Sequence, residues 1–224
     1  AAPAATLTAQ QEATMLFDFE TLSTQERYKL LVSTVVPRPI AWVVTQDPQG
    51  VLNAAPYSFF NVFSADPPVM VIGIGGRKPG DVKDTGQNIR ETGQFTVCLV
   101  NHDSSAAMNV TAIDFPPEVD EIAAAKLTTV PSTKITPPRI AESPVAFECE
   151  RFMVLELNSD RALVLGRVVA MHVRDDCVLD AARCYIDTPK LDLIGRMHGG
   201  GWYARTTDLY EQPRIPLGDW PLKG

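Results

Sequence analysis

Two stretches of this 224-residue chain carry side chains whose types and spacing suit work on a ligand. The first is Gly73-Ile74-Gly75-Gly76-Arg77-Lys78-Pro79-Gly80, followed by Asp81-Val82-Lys83-Asp84-Thr85 where a helix is predicted to open. A helix N-terminus leaves N–H groups free and presents the positive end of its dipole. With Arg77, Lys83 and the Thr85 hydroxyl beside it, such a terminus makes a phosphate cradle. The glycine spacing fits neither a dinucleotide fingerprint nor a Walker loop. The same residues also read as a solvated charged loop whose helix is capped by Asp84. The second stretch, Tyr57-Ser58-Phe59-Phe60-Asn61, follows Trp42 closely and sets aromatic surface beside small polar groups. A flat polycyclic ligand needs that combination, although aromatic residues in strands equally build cores.

Other chemistries find less support. His102, His172 and His198 do not share metal-ligand spacing, and neither HExxH nor CxxC occurs, so no metal site is expected. No serine sits in a GxSxG elbow. A net charge of −7 argues against a nucleic-acid partner, which would require clustered basic surface. No run reaches the ~18 apolar residues of a membrane span, and the start lacks the pattern of a secretory signal. The four cysteines, Cys98, Cys149, Cys177 and Cys184, are expected to be reduced thiols of a cytoplasmic protein.

The elements that would position these residues are mostly strands. A capping box, Ser23-Thr24-Gln25-Glu26, precedes Tyr28, Leu31 and Val35 at helical spacing. Runs 40–45 and 51–55 flank Asp47-Pro48-Gln49-Gly50 as a hairpin, and 69–74 is a nearly all-apolar strand. A helix over 85–92 ends at Gly93, and 94–100 is again a strand. Helices are expected at 103–113 and 119–127, the latter inside a Pro-rich excursion from Phe115 to Pro144. Two long strands, 145–157 and 162–173, form a second hairpin around Asn158-Ser159-Asp160-Arg161. At least six mainly antiparallel strands with few helices favour a closed or split barrel over a doubly wound sheet. The organisation expected is a flexible arm, 1–14, before one domain, 15–224.

Four groups of residues, in order, resemble the flavin reductase-like FMN-binding family, which includes flavoredoxin and the reductase components of two-component monooxygenases. They are Pro37 to Thr45 with Asn53 to Asn61 and Asp66-Pro67-Pro68; then Lys83-Asp84-Thr85 with Asn88-Ile89 and Glu91-Thr92-Gly93; then Ala141 to Val145; and finally Gly195-Arg196 to Tyr203. The resemblance spans roughly residues 15–215. It implies a mainly β fold, a split β-barrel of Greek-key type with a few peripheral helices, forming a homodimer with FMN near the subunit interface. By the same resemblance Asn53, Ala55, Tyr57, Ser58, Phe59 and Asn61 line the isoalloxazine and ribityl chain, Trp42 lies close to the ring, and Arg77, Lys83, Asp84 and Thr85 serve the phosphate.

The chemistry implied is hydride transfer from NADH or NADPH to FMN, the protein holding both rings and shaping the flavin's electronics. One position departs from the family's pattern. Short-chain flavin reductases carry a His five residues before a strand glycine where this chain has Arg161. Arg161 then faces a dinucleotide phosphate or acidic substrate, or simply finishes the hairpin turn. His198, in the Gly-rich segment before Trp202, is placed to close over the flavin. The expected function is an NAD(P)H:FMN oxidoreductase serving a partner oxygenase or other acceptor. Two alternatives are an FMN-retaining electron carrier and a self-sufficient FMN enzyme acting on a small organic substrate.

Overall fold

In a computed structural model, residues 14–76, 80, 82–116 and 119–219 are described. All of the expected arm but its last residue lies outside them, as does Arg77. The capping box forms: Ser23 Oγ accepts from the Glu26 N–H, the Glu26 carboxylate accepts from the Ser23 N–H at 2.8 Å, and α1 (Thr24–Thr34) follows. Next come β1 (Ala41–Gln46), β2 (Leu52–Tyr57), β3 (Phe60–Ala65) and β4 (Pro68–Gly75). Sequence reasoning missed β3, because only Ser58 and Phe59 separate it from β2 and neither residue announces a turn.

Helix α2 (Asp84–Thr92) closes on Gly93, whose φ of 72° lies in the left-handed region that glycine enters without strain. After β5 (Gln94–Leu99) come α3 (Ser105–Val110) and α4 (Glu121–Ala124), both shorter than expected. A ribbon of β6 (Thr129–Val130) and β7 (Arg139–Ile140) precedes the long hairpin of β8 (Val145–Asn158) and β9 (Arg161–Val173). Two further ribbons pair β10 (Val178–Asp180) with β11 (Tyr185–Ile186) and β12 (Ile194–Arg196) with β13 (Tyr203–Arg205).

Seven strands make one antiparallel sheet in the order β2-β1-β5-β8-β9-β4-β3. Strand β1 is buried on both faces, which is why it reads as a continuous apolar run. Trp42 and Val44 point into a cluster with Met108, Ile122 and Ile140, beneath α3, α4 and the excursion. Ala41 and Val43 point into a second cluster with Ile72 and Ile74 of β4, Ile89 of α2, Phe95 and Val164. Strands β1 and β4 are separated by three others in the sheet yet share this core, so the sheet curls on itself as a split barrel. Phe95 fills the interior opposite Gly166, where an added Cβ would run into the ring. Among the described residues no helix is long and apolar enough to cross a membrane.

The excursion is tied down by one carboxylate. Glu148 of β8 is fully buried and accepts from Thr133 N (2.7 Å), Thr133 Oγ1 (2.8 Å) and Lys134 N (2.6 Å), while His172 Nε2 lies at 2.6 Å. Burial alone would raise its pKa; the hydrogen bonds from Thr133, His172 and Lys134 outweigh that and hold it down at about 2. The first half of the excursion packs α4 against β2. The Glu148 contacts hold the same segment farther along, at Thr133 and Lys134.

Candidate functional site

Strand β2 and the start of α2 bring the predicted residues together through a buried polar network. Asn53 Nδ2 donates to Thr85 Oγ1 at 2.8 Å, and Asn88 Nδ2 donates to Thr45 Oγ1 at 3.0 Å. Asn53, Thr45, Thr85 and Asn88 are all buried, and buried polar groups of this kind fix geometry because leaving one unsatisfied is costly. The network seats the N-terminus of α2 against β2. Its N-cap residue, Lys83, makes no side-chain capping hydrogen bond, and Asp84 is the first helical residue rather than the cap. The reading of a loop capped by Asp84 is thereby corrected. The first turn of α2 thus stands beside a half-buried Lys83, with the Lys83 ammonium 6.0 Å from the centre of the Tyr57 ring.

A narrow pocket of about 60 Å³ lies here, lined by Asn53, Ala55, Tyr57, Lys83, Asp84 and Thr85 from the predicted set. Its opposite wall is Thr111 to Asp114 and Glu121 of α4, none of which sequence reasoning singled out. Through Pro56, Tyr57 and Ala112 it adjoins a second pocket of about 220 Å³, lined by Ser58, Asn109, Arg196, Gly201 and Tyr203. Tyr57 sits at the junction of the two. The Arg196 guanidinium lies over the Tyr203 ring, 4.7 Å from its centre. An elongated cleft results, with Lys83 at its narrow end and a wider aromatic end beside the Arg196 guanidinium.

The carboxyl of Glu121 is buried and accepts from Ala54 N at 3.2 Å. Burial raises its pKa, and the charges of Asp84 and Asp120 add to the rise against the hydrogen bonds it accepts. Burial and the neighbouring carboxylates thus disfavour its negative charge at the end of the cleft that also holds Lys83.

The remaining predicted residues fall elsewhere. Trp42 is a correction: it has no exposed surface, its indole Nε1 donates to Thr111 Oγ1 at 2.9 Å, and its effect on the cleft is to hold Thr111 in the wall. Phe59 and Asn61 line a different pocket, on the side of α1, with Ser58 shared between the two sides. Arg161 is exposed at the start of β9, pairs with Asp160 at 3.8 Å and packs against Gly75. His198 is exposed, with its ring 5.6 Å from that of Trp202. Neither Arg161 nor His198 lines the cleft. Cys98 and Cys149 are buried, and burial pushes the Cys98 thiol up to about 11, leaving both as packing. One group that sequence spacing did not reveal, His102, Asp103 and Asp192, lies together, but Asp192 is held by Arg205 at 2.9 Å.

With that geometry in place, comparisons with known proteins are consistent along most of the chain. The model of the flavin reductase like domain matches residues 32–188. An uncharacterized protein of Deinococcus radiodurans is 42% identical over 208 residues, covering 91% of each chain. Nitrilotriacetate monooxygenase component B from Bacillus cereus superposes with a TM-score of 0.83 at 33% identity, covering 89% of this chain and 99% of that one. The 2-nitrobenzoate 2-nitroreductase of Pseudomonas fluorescens gives a TM-score of 0.82 at 33% identity, covering 91% and 97%.

Proposed function

The chain belongs to the flavin reductase-like domain family, and from that premise we propose that it binds FMN in the Tyr57 cleft and passes electrons from NADH or NADPH to a partner oxygenase or other acceptor. The observation that carries this reading is the N-terminus of α2, whose N-cap Lys83 makes no capping hydrogen bond, opening into an aromatic cleft. The donor set suits the cofactor: free N–H groups and an ammonium for a phosphate, Tyr57 and Tyr203 for a flat ring, and Ala55 and Ser58 where a ring edge needs small neighbours. When bound, FMN would supply the hydride and electron chemistry. Arg196 faces the wide end of the cleft and would stabilise negative charge on a reduced ring. His198 is assigned to the rim, on the Gly-rich segment that ends at the cleft-lining Gly201. Arg161 is assigned to the end of the β8–β9 turn.

Fluorescence titration with FMN and with riboflavin tests this reading. Tighter binding of FMN supports a phosphate site at α2, and equal affinities would remove it. Replacing Glu121 with glutamine is expected to tighten FMN binding by roughly two- to fivefold, because a carboxylate near the phosphate is replaced by a neutral group of the same shape. The free cysteines accord with a cytoplasmic setting.

The homodimer is part of the same proposal. Met153, Leu155 and Leu157 follow one another at alternate positions on the outer half of β8, each about half exposed, and Phe63 on β3 is 69% exposed. Met153 and Leu155, at i and i+2, share one face of β8 and Leu157 follows at a bulge, so the outer half of this strand carries exposed apolar surface of the kind that marks an interface. Replacing both Leu155 and Leu157 with lysine is expected to convert a species of twice the chain mass to one of the chain mass in analytical ultracentrifugation.

A self-sufficient enzyme is the second reading. The pocket on the α1 side of Ser58 favours it, since that space opens beside the cleft without belonging to it. The nitroreductase to which this chain is similar is named for an organic substrate.

A further inference from the structure

Between α1 and the turn joining β2 to β3 lies a pocket of about 290 Å³ with mainly apolar walls, including Leu31 and Val35 of α1, Pro39 and Phe59. Its charged residue is Arg38, which is only 6% exposed. Every hydrogen bond of this guanidinium goes to a neutral acceptor. Nη1 donates to Val32 O at 2.7 Å and Val35 O at 2.8 Å, Nη2 donates to Met197 O at 2.6 Å, and Nε reaches Ser58 Oγ at a long 3.4 Å. Among the described residues, the arginine ion pairs belong to Arg90, Arg161, Arg167, Arg174 and Arg205, and none to Arg38. Burial lowers its pKa; Tyr28 opposes that shift, and the charge of Arg196 adds to it. A buried cation without a counter-charge is costly, and an anion delivered to it recovers that cost.

We propose that this pocket binds a small organic carboxylate, its apolar body between α1 and Phe59 and its carboxylate on the remaining Nη2 hydrogen of Arg38 and the Ser58 hydroxyl. Two donors and apolar walls match a planar monoanion attached to a ring or short hydrocarbon. A phosphate dianion would need more donors than these to replace its hydration. Ser58 also lines the Tyr57 cleft, so the carboxylate stands at the opening between the two spaces. The proposal rests on the flavin reading for its chemical use, naming a substrate class for the self-sufficient enzyme, but binding itself requires only the pocket.

Benzoate, benzamide and inorganic phosphate are titrated calorimetrically into the full chain, both without flavin and after FMN addition. Benzoate is expected to bind at least about tenfold tighter than benzamide, as charge-assisted hydrogen bonds exceed neutral ones, and phosphate is expected to give no saturable heat. Arg38→Met is expected to abolish that preference. Because Arg38 also ties the end of α1 to Met197, Leu31→Trp provides a second variant, filling the pocket from a half-exposed helix position and blocking benzoate. Equal affinity for benzamide, saturable binding of phosphate in competition with benzoate, or undiminished benzoate binding by Leu31→Trp would overturn the proposal. FMN binding without benzoate binding overturns it alone. Selective benzoate binding without FMN binding supports the site and defeats the flavin reading instead.

Discussion

Replacing Glu148 with alanine is expected to lower the unfolding free energy by about 3 kcal/mol, in the range seen when one member of a buried charged network is removed. The loss is large because the carboxylate serves two backbone N–H groups, a hydroxyl and an imidazole at once, and alanine leaves them without their acceptor. Glu148→Gln retains one acceptor but turns an amide N–H toward donors, so an intermediate loss is expected. Urea unfolding followed by tryptophan fluorescence measures both. The pH dependence has a fixed sign. A carboxyl whose pKa falls from 4.5 to about 2 on folding contributes its stability fully above pH 4.5 and loses it as pH falls toward 2. The wild type should therefore weaken across that window more steeply than Glu148→Gln. The latch also steadies the segment whose helix α4 walls the cleft, so Glu148→Ala should weaken FMN binding as well, with no contact to the cofactor.

Lys83→Ala is expected to reduce FMN affinity by about tenfold or more, since removing an ammonium from a phosphate site costs roughly 1.5 kcal/mol or more. The effect should be specific to the phosphate: riboflavin should bind wild type and variant alike. Lys83 makes a cleaner test than Thr85, whose hydroxyl accepts from Asn53 inside the buried network and whose loss would disturb the seating of α2. Equal losses for riboflavin and FMN would mean that Lys83 supports the ring through Tyr57 rather than the phosphate.

Much of the barrel was legible because its strands are local patterns. The apolar run of β1, the Pro-Gly reversal after it and the Asn158 to Arg161 turn each declare themselves within a few residues. Strand β3 did not, since Val62 and Phe63 are exposed to 58% and 69%, and the strand lacks the alternation that one buried face imposes. Trp42 shows the complementary limit. An aromatic residue in a strand covered on both faces looks the same in sequence as one facing a ligand, and only the packing of α3 and the excursion over β1 decides between them.

The site was legible where it is contiguous. Asn53 to Tyr57 and Lys83 to Thr85 were named together, and the Asn53–Thr85 hydrogen bond joins them. The turn at Ser58 split the rest of the run, sending Phe59 and Asn61 to the α1 side. What sequence could not supply are meetings of distant segments. Arg38 and Arg196 exchange backbone hydrogen bonds of 2.9 and 2.8 Å, which brings a motif near the start of the barrel against one near its end. Glu121 reaches β2 from the short helix α4, and no local pattern in that segment names the strand it meets.

The central claim, hydride transfer through a flavin in the Tyr57 cleft, is tested most directly by an anaerobic titration of the FMN-loaded protein with NADH and then NADPH. The account predicts that absorbance near ~450 nm bleaches with one of the two, the oxidised ring being reduced as nicotinamide is consumed, and that Lys83→Ala requires more FMN to give the same signal. Protein that binds FMN but stays oxidised with both nucleotides would contradict the reductase reading in favour of an electron carrier, and protein that binds no FMN would contradict the account as a whole.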